Sequence, residues 1–412
     1  MKKDGCAADT CTVGGWGADN AADGKLEMST SCEMREAINA CADPTYSPRT
    51  PKLLIELTSR CNLRCVYCSK SSTGAPAGED VGEELLGRVL DEVQGRNVSA
   101  VTANGHGETT VHPAWGSVLE RFMAAGLVTG MISNLAKRFS DEEIDTLSHL
   151  DCLEISCDTV DPVLFAQLCR GAKLDAVLST MARIREHVSH TGSSGPVLSW
   201  SSVVCDLTIS GLPRLVECGL SRGVRRFNFN DLHTYSMPPG TLRVKPIRDL
   251  PADRMMDVLT VIRETARIAE NGGAEVSLQS RLVDSAVRKL NGSSTGCGVA
   301  PAGDSLRRDA GRTRDCLEPW SFAAVRTSGA VRPCCTPDSP IIGHFRDGTT
   351  FEEILNGSRV RSLRRSLLDG DLPEYCRHCP ARPMTSTEKL RRKVEKFVSA
   401  VPAAVEESTG PV

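Results

Sequence analysis

The chemistry of this chain is concentrated in its cysteines. Just past an apolar stretch stands Thr58-Ser59-Arg60-Cys61-Asn62-Leu63-Arg64-Cys65-Val66-Tyr67-Cys68. Three thiolates at this spacing wrap a loop around three corners of a [4Fe–4S] cube and leave the fourth iron without a protein ligand. Structural zinc takes four protein ligands, and ordinary ferredoxin clusters take four cysteines. A trio therefore leaves one coordination position open for a reacting molecule. A second set lies further on: Cys316, twelve residues, Gly329, four residues, Cys334, then Cys376-Arg377-His378-Cys379. Four thiolates make a closed site, which satisfies a cluster or a structural zinc ion. Cys335 is left over beside Cys334 as a spare thiol, an alternative ligand or a hydrogen-atom donor. Cys6, Cys11, Cys32 and Cys41 fit no ligand spacing.

Composition narrows what this sulfur is for. The chain has 18 cysteines in 412 residues and no apolar signal region behind Met1-Lys2-Lys3. That combination points to the cytoplasm, where metal ligation or catalysis is the better use of thiols than disulfides. With 49 Lys+Arg against 52 Asp+Glu, the net charge of -3 gives no electrostatic reason to expect nucleic acid or an anionic membrane as partner. No stretch approaches the roughly 18 apolar residues of a membrane span. Residues are 40% hydrophobic but only 4% aromatic, so the cores must be built from Leu, Val, Ile and Ala.

The elements that must position the cysteines follow a regular rhythm. Strand-like runs at Leu53–Leu57, Ala100–Ala103, Val128–Ser133, Cys152–Cys157, Val197–Val204 and Arg225–Asn230 alternate with helical stretches. The helices are expected at Glu79–Gln94, Ala114–Ala125, Asp141–Leu147, Asp175–His187, Gly211–Ser221 and Pro251–Ala269. The strands read as continuous apolar runs, as when both faces of a parallel sheet are covered. Six β/α units imply an α/β fold with right-handed crossovers. They are too few for a closed eight-stranded barrel, so a partial (β/α)6 barrel is expected, with its active residues in the loops at strand ends.

The run Cys61-x3-Cys65-x2-Cys68 after a first strand resembles the cluster loop of the radical S-adenosylmethionine (radical SAM) superfamily. The resemblance extends to further landmarks. Asn104-Gly105-His106-Gly107-Glu108 resembles the family's Gly-Gly-Glu motif, departing from it at His106 and at Thr109. Ser133-Asn134 resembles a ribose- or carboxylate-contacting position. Ile155-Ser156-Cys157-Asp158 with Arg170-Gly171 resembles the SxD…RG pattern. It implies that Cys61, Cys65 and Cys68 hold a [4Fe–4S] cluster whose unique iron is chelated by SAM. It also places Tyr67, Gly105, Gly107, Glu108, Ser133, Asn134, Ser156 and Arg170 against SAM. Glycine backbone can approach the methionine amine because no side chain intervenes. Cys316, Cys334, Cys376 and Cys379 resemble the shorter, "twitch" form of the SPASM auxiliary-cluster domain, which implies a second [4Fe–4S] cluster, as do Ile342–Phe345 and Phe351–Leu355.

The expected organisation is a Cys-containing extension over 1–50, a radical SAM core over 51–290 and a linker over 291–315. A twitch domain over 316–385 and a C-terminal helix and tail over 386–412 complete it. Within the extension, Met28–Ala42 is expected to form a short helix; Glu388–Val401 reads as an amphipathic surface helix. The family chemistry implied is cleavage of SAM to a 5′-deoxyadenosyl radical that takes a hydrogen atom from a C–H bond. An electron donor such as flavodoxin or ferredoxin and a small-molecule substrate are the implied partners. A closed auxiliary cluster suits receipt of the substrate's electron, which makes oxidation of a secondary alcohol the expected reaction; the resemblance to family members with one such cluster implies an amino sugar or aminocyclitol of an antibiotic pathway as the substrate. Epimerisation or diol dehydration of a similar substrate, and peptide modification, are the rivals. The fifty residues before Pro51 are too short for a cobalamin domain and for the usual leader-recognition domain. For an epimerase, Cys205 is the placed hydrogen donor. For a dehydrogenase, Asp231, His233 and Asp206 are candidates for the base.

Overall fold

The computed structural model describes residues 43–47, 52–72, 78–95, 98–232, 244–290, 311–336, 339–345, 348–379 and 381–399. The expected Met28–Ala42 helix, the four extension cysteines and His233 lie outside the described residues.

Seven strands follow one another in parallel. They are β1 (Lys52–Ile55), β2 (Ala100–Ala103), β3 (Val128–Ser133), β4 (Cys152–Ser156), β5 (Val197–Val204), β6 (Arg226–Asp231) and β7 (Glu275–Leu278). The first six stand where the sequence puts them, and β7 is additional. Helices α1 (Glu83–Gly95), α2 (Trp115–Ala124), α3 (Asp141–His149), α4 (Pro162–Leu168) and α5 (Leu174–Thr191) form the crossovers of the first half. Helices α6 (Leu212–Ser221), α7 (Met255–Asn271) and α8 (Ser280–Leu290) serve the second. Their boundaries are written locally. Ser140 and Glu143 close a capping box at the start of α3, and Asp161 caps α4 with Pro162 in its first turn. Gly192, at φ 70°, takes the left-handed conformation that ends α5.

The sheet continues on the far side of β1. Strand β8 (Arg312–Arg314) pairs with β12 (Met384–Ser386) in a separate ribbon. Strand β9 (Phe322–Val325) lies parallel to β1, with Lys52 opposite Phe322 and Ile55 opposite Val325. Strands β10 (Ala330–Arg332) and β11 (Gly343–His344) add antiparallel. The result is one ten-stranded sheet in the order β11-β10-β9-β1-β2-β3-β4-β5-β6-β7. The C-terminal cysteine-bearing region is thus hydrogen-bonded into the barrel's own sheet, a junction that composition does not reveal. Helices α9 (Ser358–Asp369) and α10 (Thr387–Ser399) enclose a smaller apolar core around Trp320, Leu363, Leu367, Leu390 and Val394.

The expectation that both strand faces are apolar is corrected. Register sorts the strand residues into two sets. Leu53, Ile55, Val101, Met131, Leu153, Ile155, Trp200 and Phe227 face the helices in the main core. The opposite set, which faces the lumen, is polar along β4 to β7: Glu154, Ser156, Ser199, Ser201, Asn228, Asn230, Ser277 and Gln279. This is the period-2 alternation of a sheet with one apolar face.

Residues 43–47 are clamped against the C-terminal unit. Arg364 is fully buried, donating from Nε to the Pro319 carbonyl at 2.9 Å and from a terminal nitrogen to the Thr45 carbonyl at 2.7 Å and Asn356 Oδ1 at 2.9 Å. Trp320 Nε1 donates to the Pro44 carbonyl at 2.7 Å. Burial pushes the Arg364 guanidinium down to about 9. Replacing Arg364 with Ala leaves buried carbonyls unpaired and opens a cavity, so the variant is expected to lose roughly 2–4 kcal/mol of stability. Urea melts check the stability, and limited proteolysis near residue 47 should become faster.

Candidate functional site: two thiol centres on one sheet

The loop after β1 carries Cys61, Cys65 and Cys68 and is held in place by backbone bonds. Arg64 N–H donates to the Arg170 carbonyl and Val66 N–H to the Leu168 carbonyl, both at 2.9 Å. Arg170 thus fixes the loop through its main chain, while its side chain is exposed. The Cys61 thiol is exposed and those of Cys65 and Cys68 half-buried, as an open site requires.

Gly105 and Gly107 follow β2. A Cβ on Gly105 would sit 2.4 Å from the Glu56 carboxylate, and one on Gly107 would sit 2.3–2.4 Å from the carbonyls of Arg60 and Thr58. The glycines are therefore needed for close packing against the cysteine loop. Glu108 N–H donates to the Arg60 carbonyl at 2.8 Å. Its buried carboxylate receives Ser133 Oγ at 2.7 Å, Asn134 N–H at 2.8 Å and Thr110 Oγ1 at 2.9 Å. Asn134 Nδ2 donates onward to Asn62 Oδ1 at 2.9 Å, inside the cysteine loop. Leu135, next in sequence, is the one described non-glycine residue at positive φ, 48°, a strained conformation of the kind that gathers at functional sites. The structure thereby brings Gly105, Gly107, Glu108, Ser133 and Asn134 together around the trio.

Ser156, the last residue of β4, is exposed, and Asp158, two residues on, is buried. The Tyr67 hydroxyl donates to Asp158 Oδ2, and Val203 N–H donates to Oδ1 at 2.7 Å. Burial pushes the Asp158 carboxyl up to about 7, opposed by the Val203 amide and the Cys169 thiol. Cys169, which the motif reading overlooks, stands 3.8 Å from that carboxylate and 3.7 Å from the Tyr67 oxygen.

Two more residues escaped the sequence reading. Glu56, 4% exposed, follows β1 and receives His106 N–H at 2.5 Å. Arg326, just after β9, stands 3.7 Å from it. The pair ties the glycine loop to the C-terminal unit. Their signal was an inward register position on each strand, hidden by a separation of hundreds of residues. His106 as a whole residue is exposed.

The second centre is one pocket lined by Cys316, Cys334, Cys376 and Cys379, with Cys335 as a fifth thiol. Arg314 on β8 staples the C-x2-C turn, donating to the carbonyls of Cys376 at 2.7 Å, Arg382 at 2.9 Å and Arg377. Glu318 and Arg382 form an ion pair at its edge. Burial pushes the thiols of Cys316 and Cys334 up, and that of Cys376 up to about 12, so they keep their protons until a metal displaces them. Among the described residues no trio of Cys, His or acidic side chains converges on the single point that one metal ion needs; these thiols stand around a volume instead. The donor sets fit a cluster in each place. Cys335 packs on Leu54, Phe322 and Ala324, which form a small apolar cluster on β1 and β9. Cys335, which lines the pocket, therefore packs on lumen-facing residues of β1 and β9.

The remaining candidates are placed elsewhere. Cys205 is buried, its amide bonded to Thr208 Oγ1 at 2.9 Å. Asp231 is buried and paired with Arg248 at 2.9 Å. Asp206 accepts Lys245 N–H at 2.8 Å. Cys152 is disulfide-bonded, a use of sulfur absent from the sequence reading.

An open parallel β/α barrel with a three-thiol loop on its first strand and a four-thiol pocket on the adjoining strands defines a two-centre iron–sulfur protein. Comparison with known proteins agrees. Residues 55–198 match the Radical SAM superfamily and residues 316–380 match SPASM, an iron–sulfur cluster-binding domain. The chain carries a radical SAM domain and a C-terminal SPASM-type domain, and these imply [4Fe–4S] clusters and SAM as its cofactors. It is 26% identical to the tungsten-containing aldehyde ferredoxin oxidoreductase cofactor-modifying protein of Pyrococcus furiosus, over 53% of this chain and 60% of that one. It is 23% identical to GTP 3',8-cyclase of Bradyrhizobium diazoefficiens, over 82% of this chain and 90% of that one. PqqA peptide cyclase of Methylorubrum populi is 24% identical over 70% and 77%. In fold it is similar to Streptococcus suis SuiB bound to S-adenosylmethionine, at TM-score 0.58 and 14% identity over 81% of this chain and 72% of that one. No described helix is long and apolar enough to cross a membrane.

Two outcomes test this geometry. Gly107→Ala should push the 58–60 backbone off its seat, lowering anaerobically reconstituted iron from about eight towards about four atoms per chain. Full iron with an unchanged SAM-dependent spectrum would contradict it. Glu154 is the second. Burial raises its carboxyl from 4.5 to about 7, against hydrogen bonds from Ser201 and Asn228. Between those values the native state keeps a proton that the unfolded chain has released, so stability falls as pH rises. Melting midpoints should show Glu154→Gln equal to wild type near pH 4 and more stable by on the order of 3 kcal/mol at pH 8.

Proposed function

We propose that this protein oxidises a secondary alcohol of a small hydroxylated molecule, an amino sugar or aminocyclitol intermediate of antibiotic biosynthesis, in the cytoplasm. One observation carries the reading: the four-thiol pocket adjoins the lumen-facing side of β1 and β9, because Cys335 lines the pocket and packs on Leu54, Phe322 and Ala324. When bound, SAM and the clusters supply removal of a hydrogen atom from a C–H bond and a nearby place to receive one electron. The chain does the rest. Gly105, Gly107 and Glu108 hold the cysteine loop and the Ser133–Asn134 backbone in one rigid unit. Ser201, Asn230 and Gln279 offer hydroxyl and amide partners to a polar substrate. An electron donor such as flavodoxin or ferredoxin delivers the priming electron.

The experiment is anaerobic incubation with SAM, reductant and a panel of amino sugars and aminocyclitols. A product lighter by two mass units, formed together with 5′-deoxyadenosine, is the expected result. Deuterium entering a retained C–H position in deuterated water would mean epimerisation instead. Peptide modification is the second reading, favoured by the alignment with PqqA peptide cyclase along most of both chains. A two-unit loss confined to a peptide would select it.

A further inference from the structure

Three carboxylates stand on the lumen-facing side of the barrel sheet: Glu154 and Glu275 by register, and Glu56 one residue past the end of β1, continuing its alternation. Two of them are neutralised by the chain itself, Glu56 by Arg326 at 3.7 Å and Glu275 by Arg226 at 3.3 Å. Among the described residues, Glu154 has no Lys, Arg or His partner. It is 5% exposed, and its contacts are neutral: Asn228 Nδ2 donates to Oε2 at 2.8 Å, and Ser201 bonds it from β5. A glutamine would keep these contacts without the penalty of a buried acid, so stability does not explain the choice. Buried acids without a counter-ion are characteristic of sites that meet a charge from outside.

The neighbouring lumen surface is neutral and hydrogen-bonding. Asn230 Nδ2 donates to Ser201 Oγ at 3.0 Å and Gln279 Nε2 to Asn230 Oδ1 at 2.9 Å, a chain running from β5 to the end of β7. Amides and hydroxyls of this kind match hydroxyl groups, which both donate and accept.

We propose that Glu154 anchors a protonated amine of the substrate, so that the lumen selects hydroxylated molecules carrying an ammonium group. As the amine docks, the Glu154 carboxyl proton leaves to solvent and an ion pair forms in its place; no other bond changes. This rests on the alcohol-oxidation reading for the kind of molecule bound, but its test is one of binding alone.

Holoenzyme with both clusters and SAM is titrated calorimetrically at pH 7 with paired ligands: glucosamine against glucose, and an aminocyclitol against the cyclitol with hydroxyl in place of the amine. The amine member should bind at least about tenfold more tightly. Glu154→Gln should abolish the preference, and Glu154→Asp, which keeps the charge, should retain it. Equal or absent binding of the amine members in the wild type overturns the proposal, as does a preference that survives Glu154→Gln. A two-unit mass loss without amine preference would leave alcohol oxidation standing and remove this role of Glu154. Amine preference without mass loss would do the reverse.

Discussion

Parallel pairing of β1 with β9 is the constraint on which the molecule is built. Strand β1 ends in the loop that carries Cys61, Cys65 and Cys68, and β9 leads through a hairpin to Cys334. Because hydrogen-bonded neighbours in a sheet keep a fixed spacing, the two thiol centres are set on adjacent strands of one rigid surface. Their relation to the lumen does not depend on how two separate bodies happen to dock.

The same seam is reinforced at its functional end. Glu56 and Arg326 meet where β1 and β9 finish, and Glu56 also holds the amide of His106. The glycines on either side of His106 let backbone lie against backbone. Glu108 then gathers Ser133 and Asn134, and Asn134 returns to Asn62. The mouth of the barrel thus carries a run of short polar contacts beside the open three-thiol site, and the lumen-facing residues of β5 to β7 are hydroxyls and amides.

What could be read from the sequence was whatever chemistry forces into a fixed spacing. Cluster cysteines, the Gly105–Glu108 run and the first six strands were all legible, because ligand geometry and strand-end placement leave little freedom. The polar lumen was not. In β5 the outward Leu198, Trp200 and Val204 mask inward Ser199 and Ser201, so the run reads as apolar throughout. Glu56 with Arg326, and β1 with β9, pair across most of the chain, and no local pattern reports such a contact. Asp231 drew attention as an acid at a strand end, whereas the fold gives it to Arg248. Arg314 looked like part of a connecting segment and is instead a strand residue gripping the C-x2-C turn.

That grip has a bearing on how the protein survives air. Arg314 fastens three main-chain oxygens around Cys376 and Cys379 with its own guanidinium, so the turn is braced by protein contacts as well as by whatever its thiols bind. A brace of that kind would hold the turn when oxygen strips the metal, and repair would then call for re-insertion rather than refolding.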